Sequence, residues 1–396
     1  MSALLDFLKQ NDVRQFIREN VDADPNRLIL NPPIAFKDGI KDIASQLIAR
    51  KKAKGKLDQW ADNFELIMPP PLSIEQASSK ATCAYKQKLI AGKKLVDLTG
   101  GMGIDCLALS ESFEHTIYVE RNNELCDVFR HNSEVLGRQI EIVNEDASEY
   151  LKLTYFNRND TIFYIDPARR DQAKKRVFRI EDCPPNLIEI LPKLSEKGKI
   201  ALIKYSPLLD IKAILQSISH IKEIHVVSVK NDCKELLILI DFGFEGTPQI
   251  VCVNLESGQP DYKFSIEEEQ DSDTTLGNVQ QYILEPNTSI MKAGAFNKIA
   301  NDFQVNKLAV NTHLYTTDDL TKNFPGRVYE ILAEVNKESI SKYASNGKIN
   351  VITRNHPLTA AEIKKKWKLK DGGEYSLIAF RGSKKAKMLI ARRVYP

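Results

Sequence analysis

The chain has 396 residues, a mass of 44.9 kDa and a formal net charge of +3. This length exceeds that of one ordinary hydrophobic core, so we expect two or three domains. A hydrophobic share of 42% with 28% charged residues is typical of a soluble globular protein. The sequence contains no signal-like apolar segment at its start and no apolar run long enough to cross a bilayer. We therefore expect a cytoplasmic protein that is neither exported nor inserted into a membrane.

The six cysteines are scattered along the chain, without a Cys-x-x-Cys pair or a histidine at metal-ligand spacing. This pattern predicts free thiols in a reducing compartment, with no disulfide framework and no metal site. The residues concerned are Cys83, Cys106, Cys126, Cys183, Cys233 and Cys252.

Residues 1–70 carry apolar positions at helical spacing, such as Leu4, Leu5 and Leu8, and they predict a helical domain. The proline run Pro69–Pro71 cannot continue a helix and closes this domain. The spacing of Ser73–Gln76 is that of a capping box, so we expect a helix to begin there and to run to about residue 90.

Short apolar strands then alternate with helical stretches, a pattern typical of a parallel sheet with crossover connections. Two later strand-like runs are separated by only six residues, 230–235, which is too short for a crossover helix. They predict a hairpin whose last strand is antiparallel to the others. We thus expect a Rossmann-like, mostly parallel α/β sheet over residues 71–246. The predicted strands are 94–98, 116–119, 140–144, 161–165, 199–205, 224–229 and 236–242.

The remaining chain predicts two smaller α+β modules, at residues 247–324 and 325–396. Basic residues are concentrated near the end of the chain, which favours a polyanionic partner. A solvated surface that keeps the protein soluble is the alternative interpretation of the same charges. The basic residues are Lys364, Lys365, Lys366, Lys368, Lys370, Arg381, Lys384, Lys385, Lys387, Arg392 and Arg393.

The segment 95–105 runs from a strand through a glycine-rich turn into a helix. Glycines at such a turn let the backbone approach a ligand closely, although dinucleotide enzymes use a related turn. Glu120 ends the second strand, where a carboxylate can accept both ribose hydroxyls of an adenosine. Asp146 follows the third strand, in a position to recognise the adenine amino group, and Asp166 ends the fourth.

Ligands of open α/β sheets bind at the carboxyl edge of the strands, so Asp97, Glu120, Asp146 and Asp166 should line one crevice. Loop carboxylates of this kind also cap helices or turns, which is the structural alternative for each acid taken alone.

This order of motifs resembles the class I S-adenosylmethionine-dependent methyltransferases over residues 70–245. The resemblance implies S-adenosylmethionine as cofactor. It also implies cofactor contacts for the residues of the turn and of the strand ends, namely Asp97, Thr99, Gly101, Gly103, Glu120, Asp146 and Asp166. Thr99 stands where the family's turn has its first glycine. Gln76, Ser78 and Ser79 precede the first strand and are candidates for closing over the methionine end of the cofactor.

Four downstream segments, 283–287, 291–295, 324–327 and 353–358, resemble the ferredoxin-like and THUMP-like modules of a bacterial methyltransferase group. True THUMP domains bind RNA, so this resemblance implies an RNA substrate, such as rRNA or tRNA, by analogy.

For catalysis we expect Asp166 to orient a base amine by accepting its N–H, in a motif that continues with Pro167. Arg169 and Arg170 are candidates for binding a neighbouring phosphate, with a structural ion pair to nearby acids as the alternative. Tyr205 is a candidate for stacking on a base or forming the pocket wall, with packing as the alternative. The segment 166–169 lacks the second proline and the aromatic residue that hold a flipped base in amino-methyltransferases.

Two other functions remain open at this point. A nicotinamide-dependent oxidoreductase would share the glycine turn and Glu120, but would not need the Asp166-Pro167 pair or the hairpin. A non-catalytic RNA-binding protein that keeps the methyltransferase fold would account for the shortened motif after Asp166.

Overall fold

A computed structural model of the chain describes residues 3–167 and 183–395. The chain divides into two compact units. The first comprises residues up to Lys222 together with Leu237–Glu245, and the second comprises Glu223–Leu236 together with residues from Gly246 onward.

The first unit begins with the predicted helical region. Its fourth helix is the longest of this region, and Ala49 and Ala53 of that helix share a hydrophobic core with Ile104 and Phe129 from beyond the first strand. The N-terminal helices are therefore packed into the same core as the helices that flank the sheet. Before the first strand the described helices are α1 (Ala3–Leu8), α2 (Asn11–Glu19), α3 (Pro25–Leu30), α4 (Ile40–Ala53), α5 (Asp58–Asp62), α6 (Pro71–Gln76) and α7 (Lys80–Leu89).

The predicted helix start at Ser73 is wrong. Helix α6 begins at Pro71, whose missing N–H is not needed in the first turn, and ends at Gln76. The capping box lies later, where Ser79 accepts from the backbone N–H of Thr82 and begins α7. Two short helices therefore replace the single predicted one.

Arg50 on α4 fixes the segment that leads from α5 to the proline run. Its side chain is buried, and its guanidinium donates to the backbone carbonyls of Trp60, Ala61, Asn63 and Leu66 at 2.7–3.2 Å. Burial lowers the pKa of Arg50 to about 10. The planar fork thus satisfies four carbonyls at the end of α5 and in the irregular segment that follows it.

We expect Arg50→Lys to lower the free energy of unfolding by about 2–3 kcal/mol, because one ammonium group cannot reach four carbonyls. Arg27→Lys on the exposed side of α3 is the control and should change it by less than about 0.5 kcal/mol. Urea denaturation of both variants measures the difference. Equal effects would contradict a structural role for the buried guanidinium.

The first sheet confirms the predicted Rossmann-like fold. Its nine described strands have the order β3-β2-β1-β4-β5-β7-β6-β8-β9, and the pairs β1/β2, β1/β4, β2/β3 and β4/β5 are parallel. The strands are β1 (Gly92–Asp97), β2 (Phe113–Val119), β3 (Glu141–Val143), β4 (Thr161–Ile165), β5 (Ile200–Tyr205), β6 (Ile221–Val229), β7 (Asp232–Asp241), β8 (Gln249–Leu255) and β9 (Tyr262–Phe264). The helices between and after them are α8 (Ile104–Leu109), α9 (Asn123–Val135), α10 (Ala147–Leu153), α11 (Leu187–Lys197), α12 (Ile211–Ser217) and α13 (Ile266–Gln270).

Strands β6 and β7 form the predicted hairpin, but with a shorter turn than expected. Only Lys230 and Asn231 connect the strands, and both have positive φ, as a tight hairpin turn requires. Phe242 donates its N–H to the carbonyl of Lys199, so the end of β7 lies at the start of β5. The last strand of the predicted set is thus antiparallel, as expected.

Beyond the hairpin, β8 pairs with β6 in parallel and β9 pairs with β8 antiparallel. These strands lie in the stretch that the sequence assigned to the third domain. The boundaries of the four predicted domains stay predictions.

The second sheet has seven described strands in the order β11-β12-β10-β13-β16-β15-β14, and only β14 and β15 among its described pairs run parallel. This sheet and its helices confirm the predicted α+β character of the C-terminal region. The strands are β10 (Tyr282–Pro286), β11 (Asn306–Lys307), β12 (Tyr315–Thr317), β13 (Gly326–Glu334), β14 (Asn350–Arg354), β15 (Tyr375–Arg381) and β16 (Ala386–Tyr395). The helices are α14 (Thr288–Ala293), α15 (Lys298–Asp302), α16 (Lys337–Tyr343) and α17 (Ala360–Trp367). Across the described parts of both units, we find no helix with the length and apolar character needed to cross a membrane.

Candidate active site

A cavity of about 520 Å³ opens at the carboxyl ends of the parallel strands in the first unit. It is lined by all four carboxylates that the sequence analysis singled out, Asp97, Glu120, Asp146 and Asp166. Its volume is in the range of small-molecule and cofactor sites. The structure therefore brings together side chains that are up to 69 positions apart in the sequence.

The glycine turn between β1 and α8 forms one wall of the cavity. Gly101 and Gly103 have φ values of +54° and +76°, a region that favours glycine. Behind the turn, the rings of Tyr118 and Phe129 are stacked with their centroids 3.8 Å apart. A Cβ atom on Gly103 would lie 2.0 Å from the Phe129 ring, and one on Gly100 would lie 2.2 Å from the Tyr118 ring. The turn can pack against the two rings only without side chains at these positions.

We expect Gly103→Ala to lower the free energy of unfolding by about 3 kcal/mol, because backbone strain adds to the clash with Phe129. Gly137→Ala is a matched control. Gly137 has a φ of +65°, but a Cβ atom added there would meet no described atom within 4 Å, so that variant should lose only about 1 kcal/mol. Denaturant titration separates the two. Similar losses would mean that the contact with Phe129 is unimportant.

Thr99 links the turn to the end of β4. Its backbone N–H donates to Asp97 Oδ1 at 2.9 Å, and its Oγ1 accepts the backbone N–H of Asp166 at 2.6 Å. The hydroxyl also lies 3.4 Å from Asp97 Oδ1. A glycine at this position would lack the hydroxyl, so the departure from the family's turn has a structural reason in this chain.

Asp97 is buried at the end of β1, with 2% of its surface exposed. Burial raises its pKa from 3.8 to about 8, and the negative charges of Asp105 and Asp166 act in the same direction. At neutral pH the Asp97 carboxyl is therefore mostly protonated in the free protein.

Ionisation of Asp97 opposes folding, because the folded protein holds a proton that the unfolded chain releases between about pH 4 and pH 8. Stability from this group falls as the pH rises through that window. We expect Asp97→Asn to abolish this pH-dependent loss of stability. The free energy of unfolding of the variant, relative to that of the unaltered protein, should therefore rise by more than about 1 kcal/mol from pH 5 to pH 8. Thermal unfolding at both pH values measures this. A pH-independent difference would contradict the raised pKa.

Glu120 and Asp146 are held by the backbone at the rim of the cavity. Glu120 accepts the N–H of Gly101 at 3.0 Å and that of Asn122 at 2.8 Å, one on each oxygen. Asp146 caps α10 through the N–H of Ser148 at 2.9 Å. Each carboxylate therefore accepts backbone N–H groups of a turn or helix start, as loop acids often do. Each also lines the cavity and can accept further hydrogen bonds there.

A network of buried charges lies at the floor of the cavity. Lys204 on β5 places its Nζ 2.6 Å from both Asp105 Oδ2 and Asp166 Oδ2. Lys86 on α7, fully buried, lies 3.4 Å from Asp105 Oδ1 and donates to Ser78 Oγ at 3.0 Å. Burial alone would raise the pKa of Asp105, but the ammonium groups of Lys204 and Lys86 hold it well below its usual range. Two lysines thus balance two carboxylates.

Sequence reasoning did not assign Asp105, Lys86 or Lys204 to the site. A signal for Lys204 exists, because a lysine stands within the otherwise apolar strand β5. A buried lysine needs a carboxylate partner, and that requirement points to the edge where the acids converge. Lys86 gives no such signal, since it occupies a helix with other lysines. Ser78 and Gln76, both suggested from the sequence, do line the cavity.

The remaining sequence-predicted residues are placed differently. Tyr205 is 3% exposed and is not among the residues that line the cavity. Pro167 is buried directly after Asp166. Arg169 and Arg170 lie outside the described residues. Ser79, rather than facing the cavity, caps α7. In the part of the chain that the structure describes, no group of three or more His, Cys, Asp or Glu side chains could hold a metal ion.

Comparisons with known proteins agree with this architecture. Residues 282–325 match a family model described as a ferredoxin-like domain, and residues 326–393 match one described as THUMP domain-like. A crystal structure from Porphyromonas gingivalis, assigned as a methyltransferase, is 31% identical, with a TM-score of 0.84. It covers 97% of this chain and 98% of its own.

Proteins from two strains of Mycobacterium tuberculosis, named as uncharacterised S-adenosylmethionine-dependent methyltransferases, are 22% identical over 265 residues. The alignment covers 65% of this chain and 69% of each relative. The fold and the cavity thus define the methyltransferase class. The chain belongs to the family of S-adenosylmethionine-dependent methyltransferases that carry ferredoxin-like and THUMP-like modules.

Proposed function

We propose that this methyltransferase acts on RNA, with a base amine as the methyl acceptor and Asp166 as the residue that orients it. The observation that carries the proposal is the position of Asp166. Its carboxylate lies at the end of β4 in the same cavity as Asp97, Glu120 and Asp146, with one oxygen bound to Lys204.

The residues of the cavity fit S-adenosylmethionine. Glu120 is fixed by two backbone N–H groups and keeps acceptor capacity for the ribose hydroxyls, and Asp146 stands at the rim for the adenine amino group. The backbone of Gly101 and Gly103 can approach the ligand closely because neither residue has a side chain. When bound, the cofactor supplies a methyl group that is already activated on a sulfonium.

The protein's own task is then to align the acceptor and to receive its proton. Lys204 holds Asp166 Oδ2 at 2.6 Å, and Thr99 holds the Asp166 backbone N–H. The other carboxylate oxygen would accept an N–H of the base amine and direct the nitrogen lone pair at the methyl group. As the methyl group moved to the amine nitrogen, the sulfonium S–C bond would break and leave a neutral thioether, and the Asp166 carboxylate would receive the proton that the amine loses.

RNA is the substrate class that the C-terminal region favours. The chain carries a THUMP-like domain over residues 326–393, and its last 38 residues are rich in lysine and arginine. Most of these basic side chains are exposed, as contacts to a phosphate backbone require. We propose a cytoplasmic location, in keeping with the free cysteines found in the described residues.

Methyl transfer from tritiated cofactor to separate pools of rRNA, tRNA, DNA and total protein tests the substrate class. We expect label in an RNA pool alone. Label confined to DNA or protein would overturn the RNA assignment. Cofactor binding without label in any pool would favour a non-catalytic RNA-binding protein.

We expect Asp166→Asn to lower the rate of methyl transfer by about 100-fold or more while leaving cofactor affinity nearly unchanged. Asp160→Asn is a matched control at the opposite end of β4. Both aspartates have side chains 32% exposed and paired with a lysine, Lys204 for Asp166 and Lys93 for Asp160. The control should keep full turnover. Isothermal titration and single-turnover transfer measure the two quantities, and full activity of Asp166→Asn would remove it from the mechanism.

A further inference from the structure

Three of the sequence segments that the methyltransferase site does not use meet in the second unit. Arg327 on β13 and Arg354 at the end of β14 both contact Glu285 on β10 through their side chains. Arg327 Nη1 lies 3.5 Å from Glu285 Oε2, and Arg354 Nη2 binds Glu285 Oε1. This arginine pair, Arg327 with Arg354, is therefore organised around one carboxylate.

The contact between β10 and β14 requires a strongly curved sheet. Three strands separate them in the strand order, so a flat sheet would place them roughly 19 Å apart. Glu285, Arg327 and Arg354 each lie two residues from a core position of the same cluster, Ile283, Tyr329 and Ile352. Because side chains alternate along a strand, the three side chains lie on the same face of the sheet as these core residues, which is the inner face of the curve, and they lie at its rim.

The backbone is adapted to this arrangement. A Cβ atom on Gly326 would lie 2.1 Å from the carbonyl oxygen of Glu285, so only glycine lets β13 approach β10 beside Arg327. Asn355, directly after Arg354, has a φ of +50°, which asparagine adopts more readily than most residues. These observations explain why a glycine precedes Arg327 and an asparagine follows Arg354.

The charges do not balance within this group. Glu285 is buried, with 5% of its side chain exposed, whereas the side chains of Arg327 and Arg354 are 30% and 41% exposed. Each guanidinium carries five N–H donors. Arg354 donates to Glu285 Oε1 and to the Thr353 carbonyl, and Arg327 hydrogen-bonds Tyr329 while its Nη1 lies 3.5 Å from Glu285 Oε2 without a hydrogen bond to it. These contacts use only part of the donors. A buried carboxylate that orients two half-exposed guanidinium groups leaves a net positive charge and a forked set of donors at the rim.

We infer that this arginine pair is a binding site for a phosphate group, and that the phosphodiester backbone of RNA supplies that phosphate. The paired fork of guanidinium donors matches the oxygens of a phosphate better than ammonium groups do. Glu285 acts as a positioning residue, since it fixes both side chains before the ligand arrives. The choice of RNA rests on the proposed function, whereas the phosphate site itself rests on the geometry of the three side chains.

The test compares Arg327→Gln and Arg354→Gln with Arg138→Gln in the full-length protein. Arg138 is a matched control because it is also an exposed arginine paired with a glutamate, Glu111, and it lies outside the basic segment near the end of the chain. Binding of a fluorescently labelled RNA hairpin is followed by anisotropy at several salt concentrations. We expect each of the first two variants to bind about tenfold more weakly and to lose about one unit of the salt slope. Arg138→Gln should change the affinity by less than about twofold.

Arg327→Lys and Arg354→Lys keep a positive charge beside Glu285, so they control for weaker RNA binding that results from unfolding. They should unfold at the same temperature as the unaltered protein and still bind RNA more weakly, because an ammonium group lacks the fork. Unchanged RNA affinity of all four variants at Arg327 and Arg354, or an equal loss in Arg138→Gln, would overturn the site.

A second experiment distinguishes inorganic phosphate from the RNA backbone as the ligand. It also separates the phosphate site from the proposal that RNA is the substrate. Inorganic phosphate is titrated while the unfolding temperature is recorded for the unaltered protein and for Arg327→Gln. If RNA does not bind but phosphate raises the unfolding temperature of the unaltered protein alone, the phosphate site stands and the RNA proposal falls. If neither ligand depends on the arginine pair, the inference is wrong, whatever methyl transfer shows.

Discussion

Asp105 connects most of the elements that surround the cavity, and the geometry of the site depends on its contacts. Its carboxylate accepts from Lys204 on β5, Ser78 before α7 and Tyr164 on β4, and it is paired with Lys86 on α7. Charges buried at this depth are tolerated only when they are paired and hydrogen-bonded. Removal of Asp105 or of either lysine would leave an uncompensated charge at the floor of the cavity, so the network fixes where β4, β5, α7 and α8 meet.

The same network sets the electrostatic state of the other acids. The ammonium group of Lys204 is shared between Asp105 and Asp166, while the Asp97 carboxyl accepts from the backbone of the glycine turn. Burial then keeps Asp97 mostly protonated at neutral pH, since its pKa is about 8. One cavity therefore holds carboxylates in different environments, which is how one site can accept hydrogen bonds and donate them.

Much of the first unit could be predicted from the sequence because its signals are local. Apolar strand runs, the glycine turn and acids at strand ends predicted the sheet, the hairpin and the convergence of Asp97, Glu120, Asp146 and Asp166. The predicted start at Ser73 was wrong because the helix α6 already begins at Pro71, a residue that the first turn of a helix accepts. The lysines of the buried network, like the meeting of Glu285 with Arg354, depend on pairing between distant elements, and no local spacing encodes that.

The strands β8 and β9 show the same limit. Their sequences do not indicate that they extend the first sheet and not the next module, since a strand can have the same alternation in either sheet. The arginines at the rim of the second sheet were visible in the sequence as parts of short motifs. Their common carboxylate was not, because the curvature that brings β14 to β10 is a property of the whole sheet.

The stacked rings of Tyr118 and Phe129 occupy the space that side chains at positions 100 and 103 would need. The four positions therefore form one interlocked set, in which neither glycine can be enlarged while its ring stays in place. Among homologous chains these positions should covary, with a larger residue in the turn appearing only where the matching aromatic has been replaced by a smaller one.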